Sequence, residues 1–222
     1  STQIAAARAK AAAEKGADMI MMMPPYHGAL LKAGPQGIIE HFQDVAEASK
    51  LPIMVQDAPL SGVDLSIDLL VRLASEVPGV SYFKIETPQT ADKLRALIQA
   101  GGDAIVGPFD GEESITLIAD LNAGASGTMP SALLPDLIKP ILAKHKEGDL
   151  KGAATLYAEI LPLINFENRQ CGLRACKTVM KEGGVIASDH VRHPLPPLPR
   201  ETRGQLLELA RRVNPVALVW GL

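Results

Sequence analysis

The chain has 222 residues, of which 47% are hydrophobic, enough for one large α/β domain or two small ones with a well-buried core. Its 22 basic and 25 acidic residues are mixed along the sequence and give a net charge of -3, so no basic surface for nucleic acid is expected. No stretch reaches the roughly 18 to 20 apolar residues of a membrane span, and the amino end resembles an alanine-rich helix rather than a signal peptide. These features predict a soluble cytoplasmic protein that binds neither nucleic acid nor membrane.

The first 128 residues alternate between strand-like and helix-like segments. Periodic or alanine-rich stretches predict helices over residues 2–15, 37–49, 67–76, 91–100 and 112–122. Short apolar runs predict strands over residues 18–23, 51–56, 80–85, 103–106 and 125–128. Proline and glycine clusters predict loops or turns over residues 24–28, 57–66 and 107–111. Five strands, each followed by a helix, predict an α/β fold with a parallel sheet and right-handed crossovers.

The rest of the chain lacks strand signals. Residues 133–212 are predicted to be mostly helical, with an extended proline connector at 194–199 before a last helix over 201–212. Cys171 and Cys176 fall on one predicted helical stretch, without a second pair or histidines at zinc spacing. They are expected to be free core thiols in a reducing compartment, and no metal site is expected. Because no glycine-rich phosphate-binding loop follows a strand, the alternative of an open-sheet nucleotide binder loses its main support.

Lys84 stands near the carboxyl end of the third predicted strand, which is bracketed by Pro78 and Pro88. In parallel α/β folds the carboxyl ends of the strands face the active site. A buried ammonium is costly unless it is paired or neutralised, so Lys84 is a candidate nucleophilic amine. The alternative is a lysine at a strand end whose long side chain reaches solvent.

Several motifs occur in an order and spacing that are specific together, although each is weak alone. They are Gly16-Ala17-Asp18 before the loop Pro24 to Tyr26, Leu51-Pro52-Ile53 before Gln56-Asp57-Ala58-Pro59, residues 61–66, the strand that ends at Lys84, and Gly124-Ala125-Ser126-Gly127-Thr128. With them the chain resembles the dihydrodipicolinate synthase and N-acetylneuraminate lyase family over essentially its whole length. The resemblance implies a (β/α)8 TIM barrel with a helical carboxyl-terminal extension. It also implies that Lys84 forms a Schiff base with a 2-oxo acid such as pyruvate.

The resemblance further sets the expected domains and partners. Residues 1–132 would form a partial barrel that carries the lysine site, and residues 133–222 the last barrel helix and the helical extension. The family's first three strands, with a threonine pair that binds the substrate carboxylate, have no counterpart before Ser1, so a missing amino-terminal part is expected. A small 2-oxo acid substrate, no cofactor, and a homodimer or homotetramer are also implied.

Departures from the family concern proton transfer. The tyrosine of the family's Tyr-Asn-x-Pro motif is matched by Gln56, which orients a water or a hydroxyl but does not titrate. Tyr26 matches the second tyrosine of a proline-tyrosine-tyrosine loop, with Pro25 in place of the first. It is either a catalytic residue or a loop aromatic at a subunit interface. Glu86, two residues after Lys84 on the same strand face, either tunes the charge of the amine or forms a structural ion pair.

The remaining candidate residues are placed around the lysine by the resemblance. Asp57 is either a general base or a turn former before Pro59. The family uses the loop over residues 107–111 near the substrate, and the last strand ends beside the Schiff base. The residues expected to bind substrate are therefore Asp57, Glu86, Gly107, Asp110, Thr128 and Met129.

These observations favour a class I lyase, an aldolase or a dehydratase that acts on a 2-oxo acid. Gln56 in place of the tyrosine, together with the ending over residues 127–130, favours a 2-keto-3-deoxy sugar acid dehydratase. Dihydrodipicolinate synthase itself is one alternative. The alternative from another class is a non-catalytic relative that serves as a binding or assembly module.

Overall fold

Two compact units make up the part of the chain that the structure, a computed structural model, describes, namely residues 1–27 and 31–221. One unit comprises Ser1–Glu112 and Ala119–Thr128. The other comprises Glu113–Ile118 and the residues from Met129 onwards. The predicted division after residue 132 stays a prediction, because it concerns barrel strands rather than compact units.

A parallel sheet lies in the first unit. The strands of the described residues are β1 (Ile20–Met22), β2 (Tyr26–His27), β3 (Leu31–Lys32), β4 (Ile53–Asp57), β5 (Val80–Ile85), β6 (Gly107–Asp110) and β7 (Gly127–Thr128). Five of them pair in the order β1-β4-β5-β6-β7, and all neighbours are parallel, which confirms the predicted α/β fold with five parallel strands. The strands β2 and β3 form a separate antiparallel pair. The loop predicted over residues 24–28 is therefore wrong at residues 26 and 27, and Gly28 lies outside the described residues.

Helices connect the strands within the first unit, and further helices lie in the second unit. Those of the described residues are α1 (Thr2–Glu14), α2 (Pro35–Ser49), α3 (Ile67–Glu76), α4 (Thr90–Gly101), α5 (Leu117–Asn122), α6 (Pro135–Lys146), α7 (Leu150–Phe166), α8 (Arg174–Glu182), α9 (Arg200–Val213) and α10 (Val216–Val219). Helix α3 begins as predicted, because Ser66 Oγ accepts a hydrogen bond from the Leu69 N–H. Its buried Leu70 and Leu73 belong to the same core cluster as Phe83 and Ile85 of β5. Since side chains alternate along a strand, Lys84 points to the opposite face of the sheet.

The segment around β6 corrects two predictions. Residues 103–106 are not a strand, because Gly102–Ala104 forms a 3-10 turn, and residues 107–110, predicted as a turn, form β6. The glycine that suggested a turn has another reason: a Cβ on Gly107 would lie 2.5 Å from Cδ1 of Tyr82 in the neighbouring strand. The next predicted helix starts late, at Leu117, because Glu113 and Ser114 have φ of 57° and 67°, outside the helical region.

The second unit separates the two cysteines. Cys171 ends a π-helical turn (Glu167–Cys171), Gly172 follows with a φ of 59°, and Cys176 lies in α8, so the single helical stretch predicted for them is wrong. Both thiols are free, as predicted, but Cys171 is buried in the core whereas Cys176 is only partly buried. Burial raises the pKa of Cys171 to about 11, so this thiol stays protonated at neutral pH. Among the described residues, no helix is both long and apolar enough to cross a membrane.

Candidate active site

The carboxyl ends of four neighbouring strands lie level with one another. Lys84 is in register with Gln56 on one side and with Phe109 on the other. One residue further, Ile85 is in register with Asp57 and Asp110, and Asp110 is in register with Thr128 of the fourth strand, β7. The sheet therefore brings several of the predicted site residues to the same edge, as parallel strands require.

Lys84 is buried beside a carboxylate. Its Nζ pairs with Oε1 of Glu86, and the two side chains are 11% and 18% exposed. Two residues apart on one strand, they share a face of the sheet. The alternative in which Lys84 reaches solvent is wrong. A buried ammonium and a buried carboxylate are each costly alone, so the contact between Lys84 and Glu86 compensates both charges.

Gln56 completes this arrangement from the next strand. Its Nε2 donates hydrogen bonds to both carboxylate oxygens of Glu86, at 3.1 and 3.2 Å. The amide thus orients Glu86 without supplying a proton that titrates. Within the described residues, Glu86 is the acidic side chain that contacts the Lys84 amine.

Gly111, which the sequence interpretation did not select as a site residue, directly follows β6 and closes the site on that side. Its N–H donates to the Ile85 carbonyl at 2.8 Å. A Cβ at this position would lie 2.4 Å from Cγ of Glu86 and 2.8 Å from Cγ of Lys84. The backbone therefore approaches the ion pair closely, which only glycine permits.

Replacing Gly111 with alanine is expected to displace the stems of Lys84 and Glu86. Overpacking of this kind costs roughly 1–3 kcal/mol of stability, and a misplacement of about 1 Å costs on the order of a hundredfold in kcat. Gly204→Ala in α9 is the matched control, because a Cβ at Gly204 meets nothing within 4 Å. Steady-state kinetics and denaturant unfolding of both variants check this. Equal activity in the two variants would contradict the close approach.

Asp110 and Thr128 contact each other across the ends of two neighbouring strands. The Thr128 hydroxyl donates to Oδ2 of Asp110 at 2.7 Å, and the Glu112 N–H donates to Oδ1 at 2.8 Å. Asp110 is fully buried. The hydrogen bonds fix the ends of β6 and β7, and a substrate contact by Asp110, Thr128 or Met129 stays a prediction.

Asp57 is the last residue of β4 and is 1% exposed, so its prediction as a turn former is wrong. Its Oδ2 lies 2.7 Å from Nζ of Lys93. Burial raises the pKa of Asp57, and the hydrogen bond and charge of Lys93 oppose that rise. The carboxylate is therefore held by an ion pair, which leaves it poorly placed as a free general base.

Two predicted site residues lie away from this cluster. Gly107 pairs with Tyr82 at the amino end of β6, so its predicted place in a loop beside the substrate is wrong. Tyr26 is 57% exposed and lines a cavity of about 650 Å³ together with residues of α1 and β1. No hydrogen bond joins it to Lys84, Gln56 or Glu86 within the described ranges, and its catalytic role stays a prediction.

Residues 1–27 and 31–221 contain no cluster of three or more His, Cys, Asp or Glu side chains suited to a metal ion.

The second unit holds a buried carboxyl that the sequence interpretation also missed. Glu167 begins the π-helical turn, and Ser131 Oγ donates to its Oε1 at 2.7 Å. Burial raises the pKa of Glu167 to about 7, the Ser131 hydrogen bond opposes this, and the charge of Glu113 adds to it. Ser131 and Glu167 are far apart in the sequence, and no sequence pattern predicts their contact. The buried carboxyl is therefore visible only in the structure.

The free energy of unfolding is expected to fall as the pH rises from 4.5 to about 7. In this range Glu167 keeps its proton in the folded chain and loses it in the unfolded chain. Since each unit of pKa difference is worth about 1.4 kcal/mol, the full effect of this group is about 3 kcal/mol. Glu167→Gln removes the titration and keeps an acceptor for Ser131. Urea unfolding at pH 5, 6, 7 and 8 should show the variant gaining on the wild type as pH rises. Parallel stability curves would contradict the prediction.

A family model extends over nearly the whole chain. The model of the dihydrodipicolinate synthetase family matches residues 1–212. The chain belongs to this family. The predicted resemblance is thereby confirmed, and with it the prediction that the protein is an enzyme, a lyase.

Relatives within the dihydrodipicolinate synthetase family differ in activity. The chain is 54% identical over 220 residues to the L-2-keto-3-deoxyarabonate dehydratase of Azospirillum brasilense, an alignment that covers 99% of this chain and 71% of that protein. It is 28% identical over 208 residues to the 4-hydroxy-tetrahydrodipicolinate synthase of Methanosarcina mazei, with 92% and 69% covered. The dehydratase is thus much more similar to this chain than this synthase.

Solved structures of the family share the fold. The pyruvate complex of the dihydrodipicolinate synthase from Acinetobacter baumannii matches with a TM-score of 0.85 at 29% identity, covering 96% of this chain and 72% of that one. The synthase from Aquifex aeolicus matches with a TM-score of 0.86 at 26% identity and the same coverage. The predicted (β/α) barrel fold is confirmed by these matches together with the five parallel strands.

Proposed function

We propose that the protein is a dehydratase of a 2-keto-3-deoxy sugar acid, and that it works through a Schiff base on Lys84. The observation that carries this proposal is the buried contact of Lys84, Glu86 and Gln56 at the carboxyl edge of the sheet. The substrate class is supported by the 54% identity to an L-2-keto-3-deoxyarabonate dehydratase.

The first step is formation of the imine. Glu86 takes a proton from the Lys84 ammonium that it contacts, and the neutral amine attacks the C2 carbonyl of the substrate. A bond forms between the lysine nitrogen and C2, and the carbonyl oxygen leaves as water after it gains one proton from the attacking nitrogen and one from Glu86, which leaves a protonated imine.

The second step is loss of water from the sugar acid chain. The iminium withdraws electrons from C3, so a base removes a C3 proton and an enamine forms. Electrons returning from the enamine expel the C4 hydroxyl, which leaves as water with the proton that the base has taken. Glu86 is the group that we assign to this transfer, because it is a titratable carboxylate held beside the amine. A water molecule then hydrolyses the imine, which restores the C2 carbonyl and the Lys84 amine, so that one water is lost in total.

Gln56 distinguishes this site from one built on a tyrosine. An amide donates hydrogen bonds to Glu86 and keeps it oriented, whereas it gives up no proton of its own. A single carboxylate then serves as base and acid in turn, which suits an elimination in which the same proton leaves C3 and returns to the departing hydroxyl. The lysine itself supplies the electron sink, so the proposed chemistry requires neither a metal nor an organic cofactor.

The test is a comparison of two reactions on the purified protein. We expect the protein to remove one water from 2-keto-3-deoxyarabonate or a related 2-keto-3-deoxy sugar acid. Mass spectrometry of the product measures this loss. Condensation of pyruvate with aspartate semialdehyde should be at background. A protein that catalyses the condensation but not the dehydration would be a synthase. A folded protein that catalyses neither reaction would contradict the dehydratase assignment.

We infer a homodimer or homotetramer, by the same resemblance to the family, and a reducing compartment such as the cytoplasm, which fits two free thiols. Light scattering of the purified protein tests the first of these. A monomer at micromolar concentration would contradict it.

A further inference from the structure

A second buried ion pair lies on the other face of β4, directly behind the Lys84 site. Asp57 follows Gln56, so the two side chains point to opposite faces of the sheet. Asp57 shares its face with Val55, which belongs to the core cluster between sheet and helices. There it meets Lys93 from the first turn of α4, with 2.7 Å between Oδ2 and Nζ. The pair therefore ties the end of β4 to the helix that follows the lysine strand.

This ion pair is connected to Glu86 through the backbone. The Asp57 carbonyl accepts a hydrogen bond from the Glu86 N–H at 2.9 Å. The preceding residue, Gln56, donates its side-chain amide to the Glu86 carboxylate. Glu86 is thus held at two points by adjacent residues of β4, and a shift at Asp57 moves both.

The two ion pairs also sense each other's charge. Burial is the largest influence that raises the pKa of Asp57, Lys93 opposes it, and the charges of Asp64 and Glu86 add to it. Asp64 lies 3.7 Å from Lys93, but its side chain is 94% exposed and screened by solvent. The charged groups that face Asp57 are therefore Lys93 closely, and Asp64 and Glu86 more weakly.

We propose that Asp57 and Lys93 are positioning residues, which fix Glu86 and balance the charge around it during the reaction. The inference rests on the proposed function, since it assigns Glu86 the proton transfer. Lys93 compensates the negative charge that Asp57 brings to the rear of the site. Removing one partner leaves a charge that changes how readily the Lys84 and Glu86 pair loses its proton, whereas removing both restores the balance.

The test measures how the rate of imine formation with pyruvate depends on pH, by borohydride trapping. Asp57→Asn leaves the positive charge of Lys93 without its main partner. Because a nearby positive charge disfavours the ammonium form of Lys84, the midpoint of the pH profile should move to lower pH by about half a unit. Lys93→Met leaves Asp57 unpaired and should move it to higher pH. The double variant should return to the wild-type midpoint.

Lys93→Arg is the conservative control. It keeps the cation, and the adjoining cavity of about 510 Å³, which Lys93 lines, has room for the larger side chain, so its midpoint should match the wild type. If one single variant does not fold, the other single variant and the double variant still give the comparison. If the pH midpoints of the variants equal that of the wild type, and their rates of imine formation fall only in proportion to the fraction of folded protein, the ion pair has a structural role alone. That result would overturn the inference. A wild type that traps no pyruvate would overturn the proposed function as well, so the two failures are distinguishable.

Discussion

Replacing Lys84 with methionine is expected to lower kcat/KM for dehydration by at least about a thousandfold. Without the amine no imine forms, so the carbanion that develops at C3 is not stabilised and the barrier to elimination rises. Methionine keeps most of the buried volume of the stem and adds no polar atom to the site. Initial rates over a range of substrate concentrations measure the loss.

The matched control is Lys50→Met. Lys50 forms an exposed ion pair with Glu47, in which the lysine side chain is 67% exposed, and such pairs contribute little. Its kinetics should equal those of the wild type. Activity of the Lys84 variant within about tenfold of the wild type, in a protein that unfolds normally, would remove the lysine from the mechanism.

Replacing Glu86 with glutamine is expected to reduce kcat by roughly a hundredfold to ten-thousandfold, the range of one general acid-base group. The amide has the same size and still contacts Gln56 and Lys84, but it neither takes a proton from the amine nor returns one to the leaving hydroxyl. Trapping of pyruvate on Lys84 should become slow without being lost.

Glu47→Gln serves as the control for Glu86, since its side chain is 80% exposed. The split between kcat and KM decides the interpretation. A loss confined to KM would assign Glu86 to substrate binding, as the sequence first suggested. A kcat equal to that of the wild type would mean that another group moves the protons.

The lysine strand was predictable because its signals are local. Residues 80–85 form β5 with the predicted bounds, since a β-branched and aromatic run between two prolines has one consistent conformation. The face that Lys84 shares with Glu86 followed from alternation alone. The partner role of Gln56 needed the register of β4 against β5, which pairs Gln56 with Lys84 and which no local pattern specifies.

Glycines were the main source of error, because two different causes select the same residue. Gly107 and Gly111 suggested a turn over residues 107–111, but residues 107–110 form β6. A Cβ at Gly107 would collide with the neighbouring strand, and a Cβ at Gly111 would collide with the ion pair. The contact of Asp57 with Lys93 and that of Ser131 with Glu167 join residues from separate elements. Such pairings depend on how the helices pack, so a single sequence does not show them.

The most direct test of the central claim is borohydride reduction of the protein with pyruvate, followed by peptide mass spectrometry. The account predicts that the peptide containing Lys84 gains the mass of a reduced pyruvate adduct, and that the Lys84→Met variant gains none. A wild-type protein that is folded but unlabelled, or one labelled on another lysine such as Lys93, would contradict it.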